Sequence, residues 1–315
     1  MADTNHFQIG FHLPFSGKKR SLVLKSVLQN NNNDDNNDDI SVIQICLSSP
    51  CSPFENKLTE REIKACRDCI TGNDFNCIVF CHAPFCLNFA KDSSNPLLKR
   101  CIQTAIADVN VGHRMGGHGS VVHVGKHLST DKKIRNGDDP EWAVNNMFVN
   151  IKEVISKTLD GALFILEICA GQGTELLRDL DDFGKFYHRF SDEEKKTKIK
   201  VCIDTCHAWA SGYKLSSSED MNNFINIVEK AIGWKYVELI HLNDSKKKCG
   251  SRVDRHANLC QGEIWKGDHS GLRVLAKFSR DHNIPMVLET PVDKDDINKV
   301  KEINIVRKLL NSGEN

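Results

Sequence analysis

Six short apolar runs in this 315-residue chain each end on a side chain able to bind a metal ion. They are Cys77-Ile78-Val79-Phe80-Cys81-His82, Val121-Val122-His123, Leu163-Phe164-Ile165-Leu166-Glu167, Ile199-Lys200-Val201-Cys202-Ile203-Asp204, Val237-Glu238-Leu239-Ile240-His241 and Met286-Val287-Leu288-Glu289. Short β-branched runs separated by helix-like stretches read as parallel strands, buried on both faces in a βα repeat. In a closed barrel of such units every strand ends at the same face, so the six terminal side chains meet in one pocket. The pattern alone therefore predicts a site for several metal ions.

Eight strand-like runs are expected in all, at 7–13, 40–47, 77–83, 120–124, 162–169, 199–204, 236–243 and 285–290. Helix-like segments alternate with them, roughly at 20–29, 59–70, 96–109, 140–157, 174–182, 218–232, 270–282 and 294–310. Pro96 and Pro140 stand near helix starts, where a missing N–H costs nothing. Eight alternating pairs argue for a closed (β/α)8 barrel of the TIM type over an open sheet. Such a barrel takes about 250 residues and tolerates insertions, so one domain over 1–315 is expected. The Asn/Asp tract at 30–39 cannot bury apolar surface and reads as a disordered loop on the face opposite the site. The glycine-rich stretch 112–119 reads as a mobile loop, with His113 and His118 exposed in it.

Two further motifs supply candidate donors: Asp204-Thr205-Cys206-His207 where the sixth strand ends, and Asp254-Arg255-His256 in the loop after the seventh. The candidate set is then His82, His123, Glu167, Asp204, His207, His241, Asp254, His256 and Glu289. Imidazoles and carboxylates without thiolates suit zinc, manganese or iron and argue against a closed structural zinc site. Nine donors are too many for one ion; with one carboxylate bridging, they fit three. Three divalent ions against four carboxylates leave a net positive site, which would hold an anion such as phosphate. Phosphodiester hydrolysis uses both water activation and stabilisation of the leaving oxygen at such a site. Any one His or Glu at a strand end is more often an ordinary hydrogen-bonded residue, but six at successive strand ends make coincidence the poorer explanation. His12 and His127 lack a paired partner and read as contacts to substrate or ligands rather than as ligands. The lone Cys66-Arg67-Asp68-Cys69 has no second pair at zinc-site spacing.

The formal net charge is zero, which excludes a generally basic surface. A polyanion would have to be drawn by local charge, either at Lys246-Lys247-Lys248 with Arg252 or at Lys195, Lys196, Lys198 and Lys200. Thirteen cysteines are an odd number, and several fall in strand-like runs where a free thiol behaves as a small hydrophobe. No signal-peptide pattern and no apolar run of roughly 18 residues is present. A soluble, intracellular protein in a reducing compartment is expected.

Several stretches resemble the signatures of the endonuclease IV family. They are His82-Ala83-Pro84-Phe85 with Asn88, His123-Val124-Gly125-Lys126-His127-Leu128, Leu166-Glu167 followed by Ala170-Gly171-Gln172-Gly173, and Val201-Cys202-Ile203-Asp204-Thr205-Cys206-His207-Ala208. His241-Leu242-Asn243-Asp244-Ser245-Lys246, Gly250-Ser251-Arg252-Val253-Asp254-Arg255-His256 and Ile284-Pro285-Met286-Val287-Leu288-Glu289-Thr290 complete the set. Members are zinc-dependent apurinic/apyrimidinic endonucleases on a TIM barrel. The resemblance implies three zinc ions: one held by His82, His123 and Glu167, a second by Glu167, Asp204, His241 and Glu289, and a third by His207, Asp254 and His256. It implies hydrolysis of the DNA phosphodiester 5′ to an abasic site, with Glu167 and Glu289 catalytic, leaving a 3′-hydroxyl and a 5′-deoxyribose phosphate. It further implies DNA contacts from Phe85, Asn88, Lys246, Arg252 and Arg255, an abasic duplex as partner, and a monomer. The Asn/Asp tract hints at an AT-rich genome, such as that of a protist or a large DNA virus.

The chain departs from the family pattern in two places. Cys260-Gln261-Gly262 replaces the usual Gly-Glu-Gly, and the loop Ser48-Ser49-Pro50-Cys51-Ser52-Pro53 lacks the side chains that wedge into the DNA stack in relatives. Phe85 stands where relatives often have Tyr. Two other readings compete: a xylose-isomerase-like sugar isomerase or epimerase, for which Glu167, Asp204, His241 and Glu289 would suffice, and a catalytically dead DNA-damage binder.

Overall fold

Strands two residues apart in side-chain phase build two layers here, one inside a barrel and one between barrel and helices. The computed structural model describes residues 7–13, 19–31, 40–72, 77–131, 139–292 and 299–312. In chain order the elements are β1 (Ile9–His12), α1 (Arg20–Asn31), β2 (Val42–Cys46), α2 (Glu60–Ile70), β3 (Ile78–His82), α3 (Pro96–Arg114) and β4 (Gly119–His123). Next come α4 (Glu141–Ser156), β5 (Phe164–Glu167), α5 (Leu180–Tyr187), α6 (Asp192–Thr197), β6 (Ile199–Asp204), α7 (Thr205–Ser211) and α8 (Ser218–Ala231). The chain continues through β7 (Val237–His241), β8 (Asp244–Ser245), β9 (His256–Ala257), α9 (Ser270–His282), β10 (Met286–Leu288) and α10 (Val300–Asn311). Eight strands close in the order β1-β10-β7-β6-β5-β4-β3-β2, every pair parallel, while β8 and β9 form a small antiparallel ribbon outside the barrel. This is the expected (β/α)8 TIM barrel.

Val42, Phe80, Val121, Ile165, Cys202, Leu239 and Val287 fill the barrel interior as one buried cluster. Their neighbours in sequence, such as Ile43, Val79, Val122, Leu166, Val201, Ile240 and Leu288, belong instead to the larger core under the helices. That alternation follows from the strand period of two. Burying each such side chain contributes roughly 1.5–3 kcal/mol. Helix starts are set locally: Asn95 Oδ1 accepts from Leu97 N with Pro96 at the first turn, and Ser191–Glu194 and Ser217–Asp220 form capping boxes.

Three expectations about elements need correction. No helix spans 174–182: Leu177 is left-handed at φ 59°, and Asp179 caps the later helix α5 by accepting from Asp181 N and Asp182 N. The stretch 112–119 is only in part a loop: a short turn over 115–118 joins the end of α3 to the start of β4, with His118 exposed as expected and His113 half-buried. Its glycines serve close packing, since a Cβ on Gly112 would lie 2.9 Å from Cys81 Sγ and one on Gly119 would lie 2.6 Å from Ile165 Cδ1. His118 there pairs with Glu238 Oε1 at 2.5 Å and packs edge-on to Phe80. Finally, Lys195 is buried and paired with Asp192, Lys198 reaches Asp160, and Lys200 faces Glu238, so this run is not a free basic patch. Most of the 30–39 tract, expected to be disordered, lies outside the described residues, as does 294–298 of the last expected helix; the described helix begins at Val300. All thirteen cysteines are free, and Cys66 and Cys69 face the core. Among the described residues no helix is long and apolar enough to cross a membrane.

Candidate metal centre

Two residues beyond each member of the interior layer, the strand turns a side chain inward again. Those positions are Gln44, His82, His123, Glu167, Asp204, His241 and Glu289, and β1 adds His12. One turn of geometry thus converts an apolar plug into a polar ring resting on it. Three more donors reach the ring from outside the strands. Asp204 Oδ1 accepts from His207 N at 2.7 Å, capping α7 and holding His207 over the barrel mouth. Asp254 and His256 come from the loop that pairs back through β8 and β9.

The donor atoms gather into groups whose members lie within 4.8 Å of one another: His82, His123 and Glu167; Glu167, Asp204, His241 and Glu289, which shares Glu167 with the first; and His207, Asp254 and His256. Glu167 Oε2 is 3.5 Å from His82 Nε2 and 3.2 Å from His123 Nε2. Glu167 Oε1 is 2.9 Å from His241 Nδ1, which lies 3.2 Å from Glu289 Oε2. Asp254 reaches His207 Nε2 at 3.4 Å and His256 Nε2 at 3.2 Å. Ligand distances of 2.0–2.1 Å around tetrahedral zinc put neighbouring donors roughly 3.4 Å apart, so these spacings fit a metal. Glu167 Oε2 and His256 Nε2 are also buried without any hydrogen-bond partner, which buried polar atoms rarely tolerate.

Three of the rings are oriented in the same way. His82 Nδ1 donates to Ala83 O at 2.7 Å, His207 Nδ1 to Ile168 O at 2.9 Å, and His256 Nδ1 to Glu289 O at 3.1 Å, which turns each Nε2 inward. His241 presents Nδ1 instead. Burial alone would push Glu167 up, yet His123, His241 and His82 around it hold it well below the ordinary carboxylate range. Burial opposes the ionised form of Glu289 too, but His241, His82 and His12 bring it to about 2. His256, despite burial, is raised to about 9 by Asp254 and Asp204. His12 goes the other way, lowered by burial to about 4 although Glu289 opposes this.

Residues 39–309 match the family model described as a xylose isomerase-like TIM barrel. A protein of Acanthamoeba polyphaga mimivirus that is named as an endonuclease 4 is 32% identical over 255 residues, covering 80% of this chain and 78% of that one. The chain belongs to the endonuclease IV family. Membership makes it an enzyme of the nuclease class. The crystal structure of endonuclease IV from Thermus thermophilus superposes with a TM-score of 0.76 at 23% identity, covering 97% of this chain and 100% of that one. A D-tagatose 3-epimerase-like protein shares the fold at a TM-score of 0.67 and 15% identity, covering 97% of each chain. Fold alone therefore does not separate nuclease from epimerase.

The cleft above the ring, about 440 Å³, is walled by ring members together with Phe85, Lys126, Gln172 and Arg255. Phe85 is half-exposed and its N–H donates to Pro50 O at 3.1 Å, which ties the loops after β2 and β3 together. Arg255, Arg252 and Lys246 are exposed; Arg252 Nε also donates to Gly171 O at 3.1 Å. Asn88, expected at DNA, does not line the cleft. It is buried, with Oδ1 accepting from Ala90 N and Lys126 N while Nδ2 donates to Lys126 O. It therefore braces the loop after β4. Gln261 is exposed beside Gly262, whose N–H donates to buried Asp244. His127 is buried and belongs to none of the donor groups.

The sequence reading missed several neighbours of the ring. Gln44 joins His241, Glu289 and His12. Asn243 Nδ2 donates to Asp204 Oδ2 at 2.7 Å, and its Oδ1 accepts from Glu289 N at 2.8 Å. Cys202 lies beside Glu167 and His241, and Cys206 beside Asp204 and His256, with burial pushing both thiols up to about 12. Asn243, Cys202 and Cys206 lie inside the motifs already quoted, whereas Gln44 is marked only as an amide within the largely apolar run Ile40 to Leu47.

Proposed function

We propose that this chain, acting as one barrel domain and as a monomer, is an apurinic/apyrimidinic endonuclease of base excision repair. It hydrolyses the DNA phosphodiester 5′ to an abasic site and leaves a 3′-hydroxyl and a 5′-deoxyribose phosphate. The observation that carries the reading is the set of three adjoining donor groups, two sharing Glu167 and the third reaching Asp204 through His256 at 3.7 Å, all supplied by one chain. His82, His123 and Glu167 would hold a first zinc ion, Glu167, Asp204, His241 and Glu289 a second, and His207, Asp254 and His256 a third. Zinc supplies a lowered pKa for water and positive charge against the phosphate.

The chain's own residues bind and orient. Glu167 holds two donor groups in fixed relation because its carboxylate is fully buried between them. Glu289 closes the ring on the side of the cleft, where a phosphate enters. Exposed Arg255, Arg252 and Lys246 would take flanking phosphates, giving a salt-dependent grip in a chain with no net charge. Phe85 offers a ring face against an unstacked base. Turning a nucleotide out of the duplex costs least where its base is already missing.

A sugar epimerase is the second reading, favoured by the shared fold and by Glu167, Asp204, His241 and Glu289. His82, His123, His207, Asp254 and His256 are then without a task. The deciding experiment incubates the zinc-loaded protein with a duplex containing a tetrahydrofuran abasic analogue. Incision is expected, the cut strand should prime a polymerase directly, and Glu289→Gln should lower the rate more than about 100-fold, since outer partners of a metal alone cost roughly 10–100-fold. A blocked 3′ end, or incision retained in Glu289→Gln, removes this mechanism; sugar epimerisation without incision selects the second reading.

A further inference from the structure

Gln44 is the only member of the inward ring whose side chain is neither an imidazole nor a carboxylate, and it is fully buried. Its amide nitrogen lies 2.6 Å from Glu289 Oε1 and 2.8 Å from His12 Nδ1, and its oxygen lies 2.9 Å from His241 Nε2. The amide can stand only one way round. Reversed, it would set a carbonyl oxygen against the Glu289 carboxylate at hydrogen-bond distance, with no proton between them. The nitrogen therefore donates to Glu289 and His12, and the oxygen must accept from His241.

That contact decides the ring of His241. A carbonyl oxygen only accepts, so Nε2 carries a hydrogen, and Nδ1 is left facing Glu167 Oε1 at 2.9 Å and Glu289 Oε2 at 3.2 Å. His82, His207 and His256 are each fixed the opposite way by a backbone carbonyl on Nδ1. His241 alone among these four depends on a side chain for its orientation. Resting on the zinc reading above, we infer that Gln44 is a positioning residue for the ion held by Glu167, Asp204, His241 and Glu289. It fixes Nδ1 of His241 as the ligating atom and aims the Glu289 carboxylate at the same ion. His12 completes the arrangement, its Nδ1 accepting the second amide hydrogen and its Nε2 lying 3.6 Å from Cys46 Sγ.

The test compares the wild-type full chain with Gln44→Met, which matches the length of the side chain but neither donates nor accepts strongly. Both are stripped with a chelator and titrated with zinc against a competing indicator. Wild type should bind three ions. In Gln44→Met one of the three should weaken 10–100-fold with the other two unchanged. Its incision should fall at limiting zinc and recover when free zinc is raised by the same factor, which a packing defect would not do. Three ions bound with wild-type affinity in Gln44→Met overturn the inference while leaving the zinc reading intact. A wild-type chain that binds no zinc overturns both. Should Gln44→Met fail to fold, long-range ¹⁵N spectra of the zinc-loaded wild type decide the matter: a hydrogen on Nε2 of His241 supports the inference, and a hydrogen on Nδ1 ends it.

Discussion

His256 shows what a single donor contributes. One ring nitrogen is tied to the Glu289 carbonyl, and the other faces Asp254 at 3.2 Å and Asp204 at 3.7 Å without a hydrogen bond. Replacing it with alanine leaves the barrel strands untouched but strips one group of its donor. His256→Ala should therefore bind two ions in place of three, counted by elemental analysis, with an unchanged far-UV circular dichroism spectrum. Three retained ions would mean that His256 is no ligand. At this scale much was legible beforehand, because donor chemistry is a property of residue type and strand ends are readable from apolar runs. Gln44 was not legible: its role depends on lying between His241 and Glu289, 197 and 245 residues away in the chain. The place of Asn88 was hidden for the same reason, since only the fold shows that Lys126 backbone groups occupy its amide.

Among the elements, α3 controls the loop after β2. Asp108 Oδ1 on α3 accepts from Ser48 Oγ at 2.7 Å and Asn56 Nδ2 at 2.8 Å, while Thr104 Oγ1 donates to Pro53 O at 3.0 Å. Arg100 of the same helix lies 4.9 Å over the ring of exposed Phe54. The second carboxylate oxygen of Asp108 is buried without a partner, and burial raises the group to about 6 despite Asn56 and Ser48. An unfolded aspartate titrates near about 3.9, so the folded chain binds the extra proton between the two values. Asp108 then contributes stability that is fully present below about pH 4 and is lost as pH rises through 6. Relative to Asp108→Asn, wild type should lose on the order of 2 kcal/mol between those limits. Urea unfolding at stepped pH measures this, and a flat difference would show that Asp108 is ionised throughout. Helix boundaries were legible where a cap names them, as at Asn95 and Ser217, but not at 174–182, where Asp179 begins a helix that composition alone had started earlier.

For the whole molecule, metal and fold are coupled. Four buried or half-buried carboxylates and five imidazoles form the candidate donors at one barrel mouth, and each bound ion would stabilise the folded state by mass action. At free zinc 1,000-fold above its dissociation constant a single ion contributes about 4 kcal/mol. Removing all metal with a chelator should then lower Tm by on the order of 10 °C, reversed by adding zinc; an unchanged Tm in scanning calorimetry would dissociate the site from stability. By itself the sequence determined the barrel and the donors, because strand period, apolar runs and ligand chemistry are local properties. Only the tertiary structure decided how close the candidate donors stand to one another, which nitrogen of His82, His207, His241 and His256 faces the ring, and that Gln44 and His12 complete it. Those outcomes depend on closure, which pairs β1 with β10 on one side and β2 on the other and sets side chains far apart in sequence within hydrogen-bond reach.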